Sequence, residues 1–195
     1  MTTGLVSPPT AAFGTLPRHT TSTPLSTVPI LSDRDLLPLL NQGLVTPWDE
    51  QHLGPCSLDL HLGDQLLIEA MGWEEFMPYD MTIKPYLLAP GEFVLAATKE
   101  VVTMRDDHCG EIALRSTAAR MGLDHHLAAY VDAGFQGTIT LELHNAKRYS
   151  GIELRPGMRL AQLIVHRLSS PVQRSYRATG NYNGQTLPRA SNGNL

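Results

Sequence analysis

The clearest pattern along the chain is the alternation of residues 137–144, Gly-Thr-Ile-Thr-Leu-Glu-Leu-His. It places Ile139, Leu141 and Leu143 on one face of a strand and Thr138, Thr140, Glu142 and His144 on the other. The same two-residue period sets Leu58, Leu60 and Leu62 against Asp59 and His61, and a further apolar run covers Gln65 to Ile68. A Pro90-Gly91 turn precedes the β-rich stretch Glu92 to Val102, and a Pro156-Gly157 turn precedes a strand over 160–168. The early segment differs. Ser32 is placed to cap a helix with Asp35 reaching back, Leu36, Leu37, Leu39 and Leu40 give it an apolar side, Pro38 strains it and Gly43 ends it. Many short strands divided by Gly and Pro, with one early helix, predict an all-β barrel or sandwich.

Length and composition fit one domain. The chain has 195 residues, enough to bury a core without metal or disulfide staples. Residues 1–29 are rich in Thr, Pro and Ser, carry Arg18 as their only Lys or Arg, and contain no acid before Asp33. They read as a disordered tail ahead of a domain over 30–195, in preference to a targeting segment. The formal charge of −4, from 15 Lys and Arg against 19 Asp and Glu, gives no general basic surface for nucleic acid, although a small anion needs only a local cluster. Cys56 and Cys109 suit reduced thiols, and no apolar run approaches the ~20 residues that cross a bilayer. A soluble, cytoplasmic protein with no membrane partner is the expectation.

Candidate chemistry gathers between Gly110 and Asn145. Arg115, Ser116, Thr117 and Arg120 offer guanidiniums and hydroxyls suited to an anion rich in oxygen. Asp132, Gly134 and Gly137 punctuate a turn before the alternating strand. Taken from the strand alone, Glu142 is an ordinary solvent-facing residue; its neighbours make it a candidate for a site. Zinc is not expected, because the His-x-Glu and Pro-Cys-x-x-Cys pattern of the zinc nucleobase deaminases is missing. Asp106, Asp107, His108 and Cys109 read as a solvated turn, and His125 and His126 as loop or core histidines with their nitrogens satisfied. No phosphate-binding glycine loop or nucleophile elbow occurs.

Seven stretches, in order, resemble the dCTP deaminase branch of the superfamily shared with trimeric dUTPases. They are Ser32 to Leu36, Ser57 to Gly63, Gly91 to Val101, Arg115 to Leu123, Val131 to Glu142, Pro156 to Leu163 and Tyr182 to Ser191. The resemblance implies a distorted jelly-roll-like barrel, a homotrimer, and metal-free hydrolytic deamination of dCTP to dUTP and ammonia. In such a reaction one carboxylate takes a proton from water as it attacks C4 of cytosine and then delivers protons to N3 and the leaving ammonia. Glu142 matches the family's strand glutamate, with Ser116 and Arg120 as helpers. The resemblance further implies that Arg115, Ser116, Thr117 and Arg120 grip the triphosphate, that Asp132 meets the sugar, and that Thr140 and Leu141 line the base pocket through their backbone. Tyr176, Asn181, Tyr182 and Gln185 fall in the segment that closes over the nucleotide, and Mg²⁺ rides on its phosphates.

The chain also departs from the family pattern. Asn181 stands where a phosphate-reaching lysine is usual, which weakens triphosphate binding unless Arg174 or Arg177 takes over. The span from Arg120 to Asp132 is one residue short, and Leu127 replaces a threonine, which bears on inhibition by dTTP. Ala129-Tyr130 occupies the position where a small residue and an aromatic one accompany further hydrolysis of dUTP to dUMP and pyrophosphate. A bifunctional enzyme is therefore the first alternative. A non-catalytic nucleotide-sensing module is the second.

Overall fold

The computed structural model describes residues 29–69, 75–125 and 130–191. The expected disordered tail lies outside these residues except for Pro29, whose carbonyl accepts from the Arg167 amide. Helix α1 (Asp33–Asn41) comes first and buries Leu36 and Leu40, one turn apart. Pro38 lies within it, and Gly43 turns the chain away at φ 87°. The expected capping box does not form. Ser32 Oγ bonds the Asp35 carboxylate at 3.3 Å, and the Asp35 and Leu36 amides donate to the Ser32 carbonyl instead.

Strands follow as β1 (Val45–Thr46), β2 (Leu58–Ile68), β3 (Met77–Asp80), β4 (Tyr86–Leu88), β5 (Phe93–Thr103) and β6 (His108–Leu114). A five-residue helix, α2 (Ser116–Arg120), leads to β7 (Leu123–His125), β8 (Tyr130–Val131), β9 (Gln136–Asn145), β10 (Ile152–Leu154) and β11 (Arg159–Arg167), and α3 (Tyr176–Thr179) lies near the C-terminus. Nine strands form one antiparallel sheet in the order β7-β9-β5-β2-β11-β6-β8, with β1 on β5 and β3 on β2, while β4 and β10 pair separately. The sheet curls into a half-barrel, so the fold is mostly β, as the sequence predicts.

The two apolar runs read from residues 58 to 68 are one strand with a slip in register between Leu62 and Leu66, opposite a slip in β5 between Ala97 and Val101. Gly63 sits at the slip, where a Cβ would stand 3.0 Å from the Ala97 carbonyl. Where the ladder breaks, side chains take over its hydrogen bonds. Thr98 Oγ1 accepts from the Ile139 amide and donates to the Glu100 carbonyl; the buried Glu100 carboxylate accepts from the His61 amide and lies 2.6 Å from His61 Nδ1.

Leu58, Leu60, Leu62 and Leu66 enter the core with Leu141 and Leu143 of β9, matching the alternation in sequence. Leu60 is fully buried. Leu60→Ala is expected to cost about 2–5 kcal/mol through lost transfer energy and the cavity left behind, read by urea denaturation. A change of only a few tenths would mean that β2 faces the other way.

Two expectations change. Thr138, on the face expected to be polar, is buried because the C-terminal segment lies over it. The solvated turn is confined to Asp106 and Asp107. His108 and Cys109 start β6 and are buried, with His108 Nδ1 at 2.7 Å from the Asp107 carboxylate, because the β6–β11 ladder already begins at His108.

Candidate functional site

The cavity of interest is built on the outer face of β9. Thr140 and Glu142 stand two residues apart on it, and Ala97 and Leu95 of β5 lie directly across the ladder from them. A cavity of about 580 Å³ opens there, in the range that holds a nucleotide-sized ligand. Phe76, Phe93, Leu95 and Phe135 give it apolar walls, and Asp132, Thr140, Glu142, Gln185 and Arg189 give it polar ones.

Three segments meet to form it. Asp132 begins a turn in which the Phe135 amide donates to the Asp132 carbonyl, and Gly134 adopts φ 86°. The turn docks on α3: the Tyr176 amide donates to the Ala133 carbonyl, Ser175 Oγ donates to Asp106 Oδ1 at 2.6 Å, and the Phe135 and Tyr176 rings lie 5.8 Å apart. The chain after α3 then runs along β9. The Gly184 amide donates to the Gln136 carbonyl at 2.6 Å, the Thr138 amide to the Gln185 carbonyl at 2.9 Å, and Gln185 Nε2 to the Thr138 carbonyl and Thr140 Oγ1. This fixes the Gln185 carboxamide, whose buried Oε1 has no hydrogen-bond partner among the described residues. Tyr130 also lines the cavity. Although it is largely exposed, its hydrogen bond to the Cys109 thiol pushes its phenol up to about 12.

Six of the sequence candidates therefore come together, namely Asp132, Thr140, Glu142, Tyr176, Tyr182 and Gln185. Leu141 is buried in the core, with its side chain on the opposite face from Glu142. Asn181 is exposed and outside the lining, as are Arg174 and Arg177. The α2 group also stands apart. Ser116, Thr117 and Arg120 are exposed, α2 is held by the buried Ala118, and Arg115 pairs with Asp59 of β2 at 3.1 Å; none of the four lines this cavity.

His125 departs from expectation. Its Nε2 is 3.3 Å from the Ile112 carbonyl, but its buried Nδ1 has no hydrogen-bond partner among the described residues. His126, Leu127 and Ala129 lie outside the described residues.

Sequence reasoning missed Phe93, Leu95, Phe135 and Arg189. The alternation Phe93, Leu95, Ala97 was available as a signal, but β5 is apolar on both faces and the pattern does not say which face meets the core.

The half-barrel defines a mostly β fold, and comparison with known structures agrees. The 2′-deoxycytidine 5′-triphosphate deaminase of Agrobacterium tumefaciens superposes with a TM-score of 0.61 at 20% identity, covering 72% of this chain and about half (48%) of that one. At the sequence level, residues 30–168 match the family described as dCTP deaminase-like. The chain belongs to that family. It is 37% identical to the "dCTP deaminase, dUMP-forming" of Methanopyrus kandleri, covering 83% of this chain and 94% of that protein. It is 38% identical to the protein of the same name from Dictyoglomus thermophilum, covering 85% and 95%. A "dCTP deaminase" of Thermomicrobium roseum is 37% identical, covering 83% and 92%.

Proposed function

We propose that the protein hydrolytically deaminates dCTP, with Glu142 as the proton carrier. The observation that carries this reading is the placement of Glu142 on the wall of a largely apolar cavity that Asp132 and the fixed carboxamide of Gln185 also line, in a member of the dCTP deaminase-like family. With cytosine in the cavity, Glu142 accepts a proton as water adds to C4, returns one to N3, and helps deliver the next to the departing amino group. Water and dCTP give dUTP and ammonia. The apolar walls exclude competing water, and the neutral Tyr130 hydroxyl serves as a donor rather than a base. Gln185 Oε1 is free to accept from a ligand N–H.

Arg115, Ser116, Thr117 and Arg120 lie outside the cavity of their own chain, which fits a homotrimer in which α2 of one copy faces the cavity of the next. Ser116 and Arg120 would then steady the attacking water and the developing charge, and the group as a whole would hold the triphosphate. Mg²⁺ enters as part of the substrate, held mainly by phosphate oxygens.

A second hydrolysis, from dUTP to dUMP and pyrophosphate, is favoured by Tyr130 at the cavity and by the dUMP-forming names of the Methanopyrus and Dictyoglomus relatives. Incubating the protein with dCTP and Mg²⁺ in the presence of a zinc chelator, and resolving nucleotides and pyrophosphate by chromatography, tests both steps. The expected result is chelator-resistant conversion ending at dUMP with pyrophosphate. Accumulation of dUTP would remove the second step, and unchanged dCTP would remove the deaminase reading in favour of a sensing module.

A further inference from the structure

Three residues of the cavity lining carry charge, Asp132, Glu142 and Arg189. Two carboxylates repel a polyphosphate, so a cation from the cavity's own chain would help to seat an anionic nucleotide alongside the α2 group of the next copy. Among the described residues that line it, Arg189 alone supplies one, and it joins none of the ion pairs found among them.

Its position is built by the fold. The Arg189 amide approaches Thr140 Oγ1 at 3.4 Å, the preceding Pro188 is buried, and Gln185 ties the same segment to β9 through Thr138 and Thr140. Arg189 is exposed where Glu142 is half-buried, and both line the same cavity.

We propose that Arg189 is a binding and specificity residue that grips the phosphate chain of the nucleotide and so selects a triphosphate over the bare nucleoside. This rests on the proposed nucleotide reading of the cavity. A guanidinium fork pairs two phosphate oxygens at once, which fixes direction as well as charge. The same contact holds residues 183–189 against β9 when ligand is present, so that the ligand reinforces the segment that walls the site.

Calorimetric titration of the full chain with Mg-dCTP and with deoxycytidine, beside the conversion assay, separates the possibilities. Arg189→Ala is expected to weaken dCTP binding roughly tenfold, the loss of one charge-assisted contact. It should leave deoxycytidine affinity and the melting temperature unchanged and reduce the salt dependence of dCTP binding, and Arg189→Lys should recover part of the affinity. Equal dCTP affinity in wild type and Arg189→Ala overturns the assignment, as does an equal loss for dCTP and deoxycytidine. If the wild type binds dCTP without converting it, the deaminase reading fails while the affinities still decide the role of Arg189; if it binds no nucleotide, both fail.

Discussion

Glu142→Gln is expected to abolish ammonia release from dCTP while leaving the affinity for dCTP within about threefold of wild type. The amide keeps the shape and most of the hydrogen-bonding capacity of the carboxylate, and it loses only the ability to take and return a proton. General acid–base catalysis typically contributes about 10²–10⁴-fold, and a single group that serves every transfer sits at the upper end. The loss should appear in kcat with little change in KM, because the missing interaction is made only in the transition state. Ammonia release measured alongside calorimetric binding checks this. A variant that retains activity within tenfold of wild type would show that another group moves the proton. A variant that no longer binds dCTP would assign Glu142 to recognition of the base.

Gly137→Ala is expected to raise the KM for dCTP at least tenfold without unfolding the protein. Gly137 adopts φ 148°, and a Cβ there would stand 2.7 Å from the Gln185 carbonyl oxygen and 3.1 Å from its amide nitrogen. These are backbone atoms, which cannot swing aside as a flexible side chain would. The added methyl must push residues 184–186 off β9, breaking the bonds from the Gly184 and Thr138 amides and releasing the Gln185 carboxamide. Backbone strain of this kind costs about 1–3 kcal/mol, small against the buried core but large against a segment held by a few hydrogen bonds. Faster proteolysis after residue 180, with a nearly unchanged melting temperature, is the accompanying signature. An unchanged KM would separate the C-terminal segment from nucleotide binding.

Much of this architecture can be read in the chain itself. Leucines alternating with polar residues at 58–62 and 139–143 determine which faces enter the core, because a strand buried on one side must repeat every two residues. The same rule sends Glu142 outward with Thr140, and Gly43, Gly91, Gly134 and Gly157 mark turns that the structure makes with positive φ. Seven ordered motifs carried the family.

Tertiary structure decided what joins Glu142. Residues 183–189 have no periodicity; the family resemblance marks them as a closing segment, but only the structure shows that they lie along β9 through main-chain bonds and the side chains of Asn183 and Gln185. Phe93 and Leu95 face the cavity because β5 pairs with β9 in one register, a choice hidden by a strand apolar on both faces. Arg115, read from sequence as a guanidinium for an oxygen-rich anion, is paired with Asp59, a partner distant in the chain that the shared pairing of β2 and β6 with β11 brings near. Local pattern fixes which way a side chain points, because that depends on backbone geometry over a few residues; the neighbours it meets there depend on long-range pairing, which a short pattern does not encode.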